Sequence, residues 1–362
     1  MKIIVSAGGT GGHIYPALAI INKFKEKVKD LDVLYIGTHN RMEKELIPKR
    51  GIKYEEIEIY GFSKSNIKQD IKNIGCIRKA IKKCIKIMQE FKPDIVLGIG
   101  GYVTFPVIVA AHRLGIKTFL HEQNSLPGKT NLYLQKYADL VGVSFKESAS
   151  YFKKCKGEVF FSGNPCGENA LSLEPMSKKD LGLDKDKKLI VVVAGSLGSA
   201  TVNSKMQEFL NNSKDKEYEI LYITGKSHYD EFVKDKDFPK NVKVLPYLDN
   251  LAALLKNTDL LITRAGASTM SEVLSLNLPA IFIPSPFVAN NHQYYNALEI
   301  KNNKAGELIE EKELTSEKLD NMINKVLYDD KLYKEMKKNL KKMSVDNSSD
   351  IIYNKIKDLI KC

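Results

Sequence analysis

The feature that most constrains this chain is a glycine-rich turn that joins an apolar run to a helical pattern, once at residues 3–16 and again at residues 189–199. In the first copy, residues 3–5 fit a buried parallel strand, Gly8-Gly9-Thr10-Gly11-Gly12-His13 makes the turn, and Pro16 stands where a helix would start. Glycines let a ligand approach the backbone, and the N-terminus of the following helix attracts an anion. A glycine turn without a ligand remains the alternative. The repeated pattern predicts two α/β units.

Short apolar runs alternate with helical patterns through both halves, which predicts βαβ units and parallel sheets. Strands are predicted at residues 2–6, 32–36, 53–59, 94–98, 117–120, 140–143 and 158–161, and then at 189–193, 218–223, 242–245, 259–263, 279–283 and 305–309. The alternation stops between the two sets of strands, from residue 162 to residue 188, where the chain contains prolines and charges of both signs. A chain of 362 residues is longer than one core usually serves. We therefore predict a domain at 1–162, a linker at 163–187, a second domain at 188–345 and a Lys-rich terminal helix at 346–362.

Composition excludes several classes of protein. The formal net charge of +12 suits an anionic partner, but it equally suits general solubility. The uncharged stretches at 3–21 and 95–111 are broken by glycine and proline, so we interpret neither as a signal peptide or a membrane span. Five cysteines form no C-x-x-C pair, which favours reduced thiols in a cytoplasmic protein: Cys76, Cys84, Cys155, Cys166 and Cys362.

Residues 67–91 are predicted to form an amphipathic helix. Its apolar stripe, with spacings of three and four, is Ile67, Ile71, Ile74, Ile77, Ile81, Ile85, Met88 and Phe91. The other faces are rich in lysine. For the C-terminal half, a helix packed on the sheet with a solvated back is the favoured interpretation. The segment from Tyr60 to Lys72 places aromatic and apolar residues among lysines, and we predict that it contacts an anionic membrane.

Two further polar loops follow predicted strands of the first half. They are the G-I-G-G-Y-V turn at 98–103 and the loop His121-Glu122-Gln123-Asn124. Because parallel strands end at the same sheet edge, these loops and the first glycine turn are predicted to line a cleft. His121 could instead simply brace its own loop.

The second half carries a matching segment at residues 263–272, T-R-A-G-A-S-T-M-S-E. Gly266 and Ala267 suit the approach of a diphosphate to a helix N-terminus, with Ser268 and Thr269 as N-cap donors. Glu272 has the reach to bind two vicinal hydroxyls of a ribose. An acid favourably placed near a helix N-terminus is the alternative interpretation.

Six motifs in this order make the chain resemble the MurG family, the peptidoglycan UDP-N-acetylglucosamine (UDP-GlcNAc) transferases of glycosyltransferase family 28. Besides the turn at 8–16, the loop at 121–124 and the segment at 263–272, the resemblance rests on G-G-Y-V at 100–103, G-N-P at 163–165 and G-S-x-G at 195–198, and it extends to 292–297. It implies the α/β fold called GT-B, in which two Rossmann-like doubly wound parallel-sheet domains enclose a cleft. The N-terminal domain would serve the acceptor and membrane, and the C-terminal domain the UDP-sugar.

The resemblance also implies the reaction. The family transfers GlcNAc from UDP-GlcNAc, with inversion, to the 4-hydroxyl of the N-acetylmuramoyl sugar of lipid I, undecaprenyl-pyrophosphoryl-MurNAc-pentapeptide. The product is lipid II of peptidoglycan biosynthesis. The implied partners are this donor, this lipid acceptor and the cytoplasmic face of an anionic membrane, with no cofactor.

Carried over position by position, the family's donor site falls on residues of both halves. Asn124 and Gln293 would meet the GlcNAc, Leu248 would offer backbone to the uracil, and Ser196 would lie by the diphosphate. The remaining predicted binding residues are Thr10, Gly11 and Gly12 in the first turn and Ala267, Ser268, Thr269, Met270, Ser271 and Glu272 in the second segment.

Two positions depart from the family pattern. Family members usually carry Arg two positions after G-N-P, where this chain has Gly167. The G-G-S-Q-G turn is Ala-Gly-Ser-Leu-Gly here, at 194–198. One cationic contact to the donor is therefore absent or supplied elsewhere.

His13 is predicted to be the general base, since imidazole titrates near neutrality and its loop faces the predicted cleft. Binding the phosphate of the acceptor is the rival role for His13. The D-x-D strings at 184–186 and 235–237 resemble metal–diphosphate motifs, but both fall in Lys-rich turns away from the cleft edges. We therefore predict no essential protein-bound metal and expect helix N-termini near Ser196 and Ser268 to stabilise the departing UDP.

Three alternatives remain open from sequence. A related GT-B enzyme could use another lipid acceptor such as diacylglycerol. A UDP-GlcNAc 2-epimerase would share the fold and the donor. A basic nucleic-acid-binding module would fit the charge, but the chain has no RNP-like motif and no zinc-ligand spacing, so no nucleic-acid partner is expected.

Overall fold

The computed structural model describes residues 1–61, 67–195 and 198–361, without the side chains of 67–72, and it divides into two compact units. The N-terminal unit is residues 1–166 together with 347–362, and the C-terminal unit is 167–346. Part of the predicted linker at 163–187 is helical, at Cys166–Ser172 and Lys178–Leu181. The terminal helix belongs to the N-terminal unit, which the sequence did not indicate.

The N-terminal unit is built on a parallel sheet whose described strands run in the order β3-β2-β1-β4-β5-β6-β7. The order reverses between β1 and β4, so this is the switch point at which doubly wound folds bind ligands. The strands are β1 Lys2–Ala7, β2 Asp32–Thr38, β3 Lys53–Ile57, β4 Ile95–Gly100, β5 Lys117–Glu122, β6 Leu140–Val143 and β7 Glu158–Phe161.

Helices cover both faces of this sheet. They are α1 Gly11–Lys27, α2 Glu43–Leu46, α3 Ile67–Phe91, α4 Thr104–Arg113, α5 Lys129–Leu134 and the terminal α14 Ser348–Lys361. α6, Cys166–Ser172, crosses the unit boundary and lies, apart from Cys166, in the C-terminal unit. α14 packs on α1, where the rings of Phe24 and Tyr353 meet at 5.0 Å and Lys23 pairs with Asp350 at 3.1 Å. α1 begins at Gly11, so Pro16 lies inside the helix rather than at its start.

The apolar stripe predicted for α3 is only partly correct. Ile81 and Met88 are buried as expected, but Ile74 is 47% exposed. Asn73 is fully buried instead, because its side chain bonds both backbone groups of Tyr60, accepting from the N–H at 3.0 Å and donating to the carbonyl at 2.6 Å. A polar residue that satisfies buried backbone groups has displaced an isoleucine from the core side of this turn.

The C-terminal unit repeats the plan with the described strand order β10-β9-β8-β11-β12-β13, all parallel, and a switch point between β8 and β11. Its strands are β8 Leu189–Val193, β9 Glu219–Ile223, β10 Val242–Leu245, β11 Leu260–Thr263, β12 Ala280–Phe282 and β13 Glu307–Leu308. Its helices are α7 Ala200–Asn211, α8 Tyr229–Val233, α9 Leu251–Leu255, α10 Ala267–Leu276, α11 His292–Asn302, α12 Ser316–Tyr328 and α13 Asp330–Met343.

Short 3-10 helices connect several elements, at Pro48–Arg50, Gln135–Tyr137, Lys146–Tyr151, Lys178–Leu181, Lys226–His228, Ala289–Asn291 and Glu311–Glu313. Each predicted strand is present within a few residues of its predicted bounds. The predicted α/β class with two doubly wound parallel sheets is confirmed. Across the described ranges, no helix is both long and apolar enough to cross a membrane.

Candidate functional site

Two glycine turns meet at the switch point of the N-terminal unit. The N–H of Gly8, after β1, donates to the carbonyl of Gly100, at the end of β4, at 3.2 Å. Gly101 has a φ of 87°, and a Cβ on it would lie 2.4 Å from the Gly8 carbonyl oxygen. Because only glycine fits this conformation and this gap, the G-G-Y turn is packed directly against the first turn.

His13 lies between these turns and the third polar loop. It is the third residue of α1, and its Nδ1 is 3.0 Å from Oε1 of Gln123. A Cβ on Gly100 would stand 2.5 Å from the same Nδ1, so the imidazole occupies space that glycine leaves open. The structure thus brings together the three loops that the sequence predicted to share one sheet edge.

The H-E-Q-N loop is held by a buried network. Gln123 Nε2 donates to the carbonyl of Ile99 at 2.7 Å and lies 2.9 Å from Nδ1 of His121. Nε2 of His121 lies 3.0 Å from the carbonyl of Gly163. Complete burial lowers the pKa of His121 to about 4, so this ring is neutral at physiological pH. His121 thus braces its own loop, and the residue it holds there, Gln123, contacts His13.

Glu122 organises the part of the loop that carries Asn124. Its carboxylate accepts from the Asn124 N–H at 3.0 Å, from the Gly128 N–H at 3.0 Å and from the Asn131 side chain at 2.9 Å. Asn124 itself is half-buried at the carboxyl end of β5. Its position is thus fixed by a carboxylate that the sequence reading did not assign a role.

Glu43 was missed by the sequence analysis. Its side chain is fully buried and accepts from the Gly9 N–H at 3.2 Å and from the Thr38 hydroxyl at 2.6 Å. The carboxylate thereby ties the first glycine turn to the end of β2. The contact joins residues 34 positions apart, so no local sequence pattern predicts it. Only the folded structure shows that this acid is buried beside the glycine turn.

The predicted donor residues of the first turn lie at the start of α1. Thr10 is the exposed N-cap residue, and within the described ranges its side chain makes no cap hydrogen bond. Gly11 and Gly12 are the first two helical residues. Amides of a first helical turn have no intrahelical acceptor, so they are suited to bind an anion.

Arg264 connects three turns of the C-terminal unit. It donates to the carbonyl of Ile283 at 3.0 Å and to the hydroxyl of Ser199 at 2.8 Å, and it pairs with Glu311 at 2.5 Å. Both charged side chains are buried, at 10% and 7% exposure. Ser199 in turn caps α7 by accepting from the N–H of Val202. This pair fixes the second glycine turn relative to the ends of β11, β12 and β13.

The N-cap assignment in the 263–272 segment is wrong. α10 begins at Ala267 with Gly266 as its N-cap, so Ser268 and Thr269 are the second and third helical residues. The Ser268 hydroxyl oxygen is buried, and it has no hydrogen-bond partner in the described part of the chain. Met270 is buried, and the Ser271 hydroxyl donates to the Ser268 carbonyl at 2.6 Å.

Glu272 lies one turn into α10. Desolvation raises the pKa of its carboxyl from 4.5 to about 7. The group is therefore divided between its neutral and ionised forms near neutral pH. Such a shift is frequent at functional sites, where burial is retained despite its cost.

Leu248 and Gln293 both come after strands of the C-terminal sheet. Leu248 follows β10, and Gln293, in the first turn of α11, accepts the N–H of Ser285 at 2.9 Å. Ser196 falls outside the described residues. Gly167, in α6, packs against α10, because a Cβ there would lie 2.1 Å from the Ser275 hydroxyl and 2.7 Å from the Ser271 carbonyl. The departure at Gly167 therefore has a steric basis in this chain.

The two D-x-D strings lie elsewhere. Asp184 and Asp186 precede β8 and are exposed, and the Asp184 N–H is held by the first residue of β9, Glu219, at 2.7 Å. Asp235 and Asp237 precede β10 and are also exposed. Both strings are thus at the amino edge of the sheet, opposite the glycine turn.

Comparison with known proteins agrees with this architecture. Residues 3–143 match the glycosyltransferase family 28 N-terminal domain, and residues 189–351 match its C-terminal domain. The UDP-N-acetylglucosamine–N-acetylmuramyl-(pentapeptide) pyrophosphoryl-undecaprenol N-acetylglucosamine transferase of Bacillus licheniformis is 40% identical over 99% of both chains. The protein of that name from Pediococcus pentosaceus is 38% identical over 100% of both. The crystal structure of Acinetobacter baumannii MurG superposes with a TM-score of 0.80 at 26% identity, covering 99% of each chain, which confirms the GT-B fold.

Proposed function

The chain belongs to glycosyltransferase family 28, and we propose that it transfers GlcNAc from UDP-GlcNAc to the 4-hydroxyl of the MurNAc sugar of lipid I, forming lipid II of peptidoglycan. The observation that carries the proposal is the full-length similarity to transferases of that name. The geometry agrees with it, because each unit has a glycine turn and a helix N-terminus at the switch point of its sheet.

In the proposed reaction the acceptor 4-hydroxyl attacks C1 of GlcNAc from the face opposite the UDP. The bond from C1 to the diphosphate oxygen breaks, UDP leaves, and the α-linkage becomes β. An alcohol is a poor nucleophile at neutral pH, so a base must take its proton as the new bond forms. His13 is proposed as this base. Its position supports this role, because His13 lies at the switch point of the N-terminal sheet and contacts Gln123 there.

His13→Ala tests this assignment. We expect kcat to fall by about 10²–10⁴-fold, the usual contribution of a positioned base. The KM for UDP-GlcNAc should change little if His13 acts only on the acceptor. Turnover within a few-fold of the wild type would show that His13 is not the base, and a raised KM for lipid I with unchanged kcat would favour the rival role in binding the acceptor phosphate.

The donor contacts are proposed from the family positions. Glu272 would accept hydrogen bonds from the ribose hydroxyls, and the backbone of Leu248 would bind the uracil. Asn124 and Gln293 would bind the GlcNAc. Ser196 would lie by the diphosphate, and phosphate and ribose would be bound by the start of α10, through Ala267, Ser268, Thr269, Met270 and Ser271 with Glu272. The start of α1 would contribute to the donor site from the N-terminal unit, through Thr10, Gly11 and Gly12.

A lipid acceptor requires the enzyme to reach a membrane surface. We propose peripheral binding to the cytoplasmic face through the segment from Tyr60 to Lys72. Residues 62–66 of this segment lie outside the described residues, and residues 67–72 are described without their side chains. Its neighbourhood supports the proposal. Asn73 ties the base of the segment to Tyr60, and Ile74, at the next position, is exposed rather than buried. An exposed isoleucine beside lysines suits an anionic bilayer.

One assay separates the proposed reaction from its alternatives. Purified protein is incubated with labelled UDP-GlcNAc and either lipid I, diacylglycerol in the same detergent, or no acceptor. Formation of lipid II only with lipid I is the expected result. A glycosylated diacylglycerol would identify the other lipid-acceptor enzyme, and free UDP-ManNAc without acceptor would identify the epimerase.

Titration calorimetry with UDP-GlcNAc, UDP-glucose and UDP-galactose tests the donor separately. We expect selective binding of UDP-GlcNAc despite Gly167. Equal binding of all three, or none in the presence of an inert lipid I analogue, would contradict the donor assignment.

A further inference from the structure

The side-chain amide of Gln123 contacts His13, the proposed base. Its amide lies between two histidines, with Oε1 3.0 Å from Nδ1 of His13 and Nε2 2.9 Å from Nδ1 of His121. The amide nitrogen also lies 2.7 Å from the carbonyl oxygen of Ile99. A carbonyl oxygen can only accept a hydrogen bond, so the amide group facing Ile99 must be the NH₂. The orientation of the Gln123 amide is thereby determined.

The tautomer of His13 follows from that orientation. The Gln123 oxygen can only accept, so Nδ1 of His13 must carry the hydrogen in their 3.0 Å bond. A neutral imidazole carries one N–H, so its lone pair is then on Nε2. The ring nitrogen able to take a proton is therefore the one turned away from Gln123.

His121 stabilises the same arrangement from the other side. Its Nε2 is 3.0 Å from the Gly163 carbonyl and must donate there, so its Nδ1 accepts from the Gln123 NH₂. Burial keeps this ring neutral near pH 7, since its pKa is lowered to about 4. Gln123 directly follows β5, which ends at Glu122, and its side chain also lies 3.2 Å from the His121 carbonyl, to which its NH₂ donates.

An amide at this place acts differently from a carboxylate. A carboxylate beside His13 would stabilise the imidazolium and raise its pKa, whereas an amide selects the tautomer without adding charge. The adjacent Glu122 directs its charge elsewhere, to the N–H groups of Asn124 and Gly128.

We propose that Gln123 is a positioning residue that holds the proton of His13 on Nδ1, so that Nε2 receives the proton of the acceptor hydroxyl, and that His121 fixes Gln123 in this orientation. The proposal rests on the proposed function, in which His13 is the base. The arrangement resembles a catalytic triad, in which a base is held in one tautomer by a neighbouring group. Here His13 is the base, and the neutral amide of Gln123, itself held by His121, is the group that orients it.

The first test reads the tautomer directly. In protein labelled with ¹⁵N-histidine, two-bond nitrogen–proton correlation spectra distinguish protonated from unprotonated ring nitrogens, and the His13 signals are those missing in His13→Ala. We expect the wild type to show Nδ1–H and Gln123→Met to show Nε2–H or a mixture. A wild-type ring protonated on Nε2 in its neutral form would overturn the proposal, whatever the activity.

The second test asks whether Gln123 acts through His13. Gln123→Met should lower kcat at least tenfold with the KM for UDP-GlcNAc within a few-fold, and it should add no further loss in a His13→Ala background. Gln135→Met is the matched control. Gln135 is also buried in the N-terminal unit and bonds backbone on both sides, to the carbonyl of Leu132 and the N–H of Lys154.

The outcomes separate the two proposals. An equal kcat loss in Gln135→Met would mean that Gln123 acts only on stability. An additive loss in the double variant would mean that Gln123 acts independently of His13, and either result would overturn the proposal. If His13→Ala turned over normally while the spectrum showed Nδ1–H, the base assignment would fail and the tautomer assignment would stand.

Discussion

Glu272 is the residue at which burial has the clearest chemical consequence. Its carboxyl has a pKa of about 7, and only the ionised form accepts hydrogen bonds with both oxygens. We expect the affinity for UDP-GlcNAc to rise as the pH increases through 7 and binding to release a proton. Glu272→Gln should weaken binding by about 10- to 100-fold, from the loss of hydrogen bonds to a charged group. Calorimetry in buffers of different ionisation enthalpy measures both effects, and an unchanged affinity in the variant would contradict the ribose assignment.

Glu272 is expected to affect the stability of the fold in the opposite direction from donor affinity as the pH rises. The folded state holds a proton on Glu272 between about pH 4.5 and 7 that the unfolded state has lost, so this group's contribution to stability falls as the pH rises through that window. Above pH 7 the buried charge is destabilising. Glu272→Gln is therefore expected to raise the melting temperature at pH 8 while it weakens donor binding, and to change it less at pH 5. Thermal denaturation at the two pH values tests the sign.

Gly167 gives a second prediction at the residue scale. Restoring the family arginine is expected to destabilise the C-terminal unit, because a Cβ at this position would collide with the Ser275 hydroxyl and the Ser271 carbonyl of α10. Overpacking of this kind costs about 1–3 kcal/mol. Asn169→Arg, on an exposed position of the same helix, adds the charge without the collision. A Gly167→Arg variant of wild-type stability and tighter donor binding would show that the backbone yields readily and that the cation was the missing element.

At the scale of elements, α3 separates two functions along one helix. Its C-terminal half packs on the sheet, and its first residues, up to Lys72, belong to the segment proposed to contact the membrane. Replacing Lys64, Lys68 and Lys72 by glutamine should weaken binding to phosphatidylglycerol vesicles on the order of 100-fold, at about 1 kcal/mol per lysine. The matched control replaces Lys79, Lys82 and Lys86, which are exposed on the same helix. Equal losses in both variants, measured by vesicle flotation, would indicate a diffuse charge effect and no specific segment.

Sequence patterns predicted the strands and the loops of the sheet edges well, since both arise from local periodicity and turn chemistry. They failed where a long-range polar contact decides the local structure. Asn73 takes the buried position on α3 because its side chain bonds both backbone groups of Tyr60. The start of α10 was predicted wrongly for a local reason, since Gly266 and not a serine is its N-cap. Glu43 and the Arg264–Glu311 pair carry no local signal at all, because their partners are distant in the chain.

For the whole molecule, the placement of charge relative to the sheets leads to a prediction about metal dependence. The D-x-D strings at 184–186 and 235–237 precede strands of the C-terminal sheet, while the glycine turn and α10 follow strands. In a parallel sheet these are opposite edges, so neither string can reach a diphosphate bound at the turn. Helix N-termini at α7 and α10 are instead available to stabilise the charge on UDP as it leaves. The rate of UDP release during turnover is therefore expected to change less than about twofold when EDTA is added. The same is expected when Asp184 and Asp186 are replaced by asparagine. Loss of turnover in EDTA, restored by Mg²⁺ or Mn²⁺, would mean that a cation bound with the substrate, and not the helix N-termini, stabilises the charge on the departing UDP.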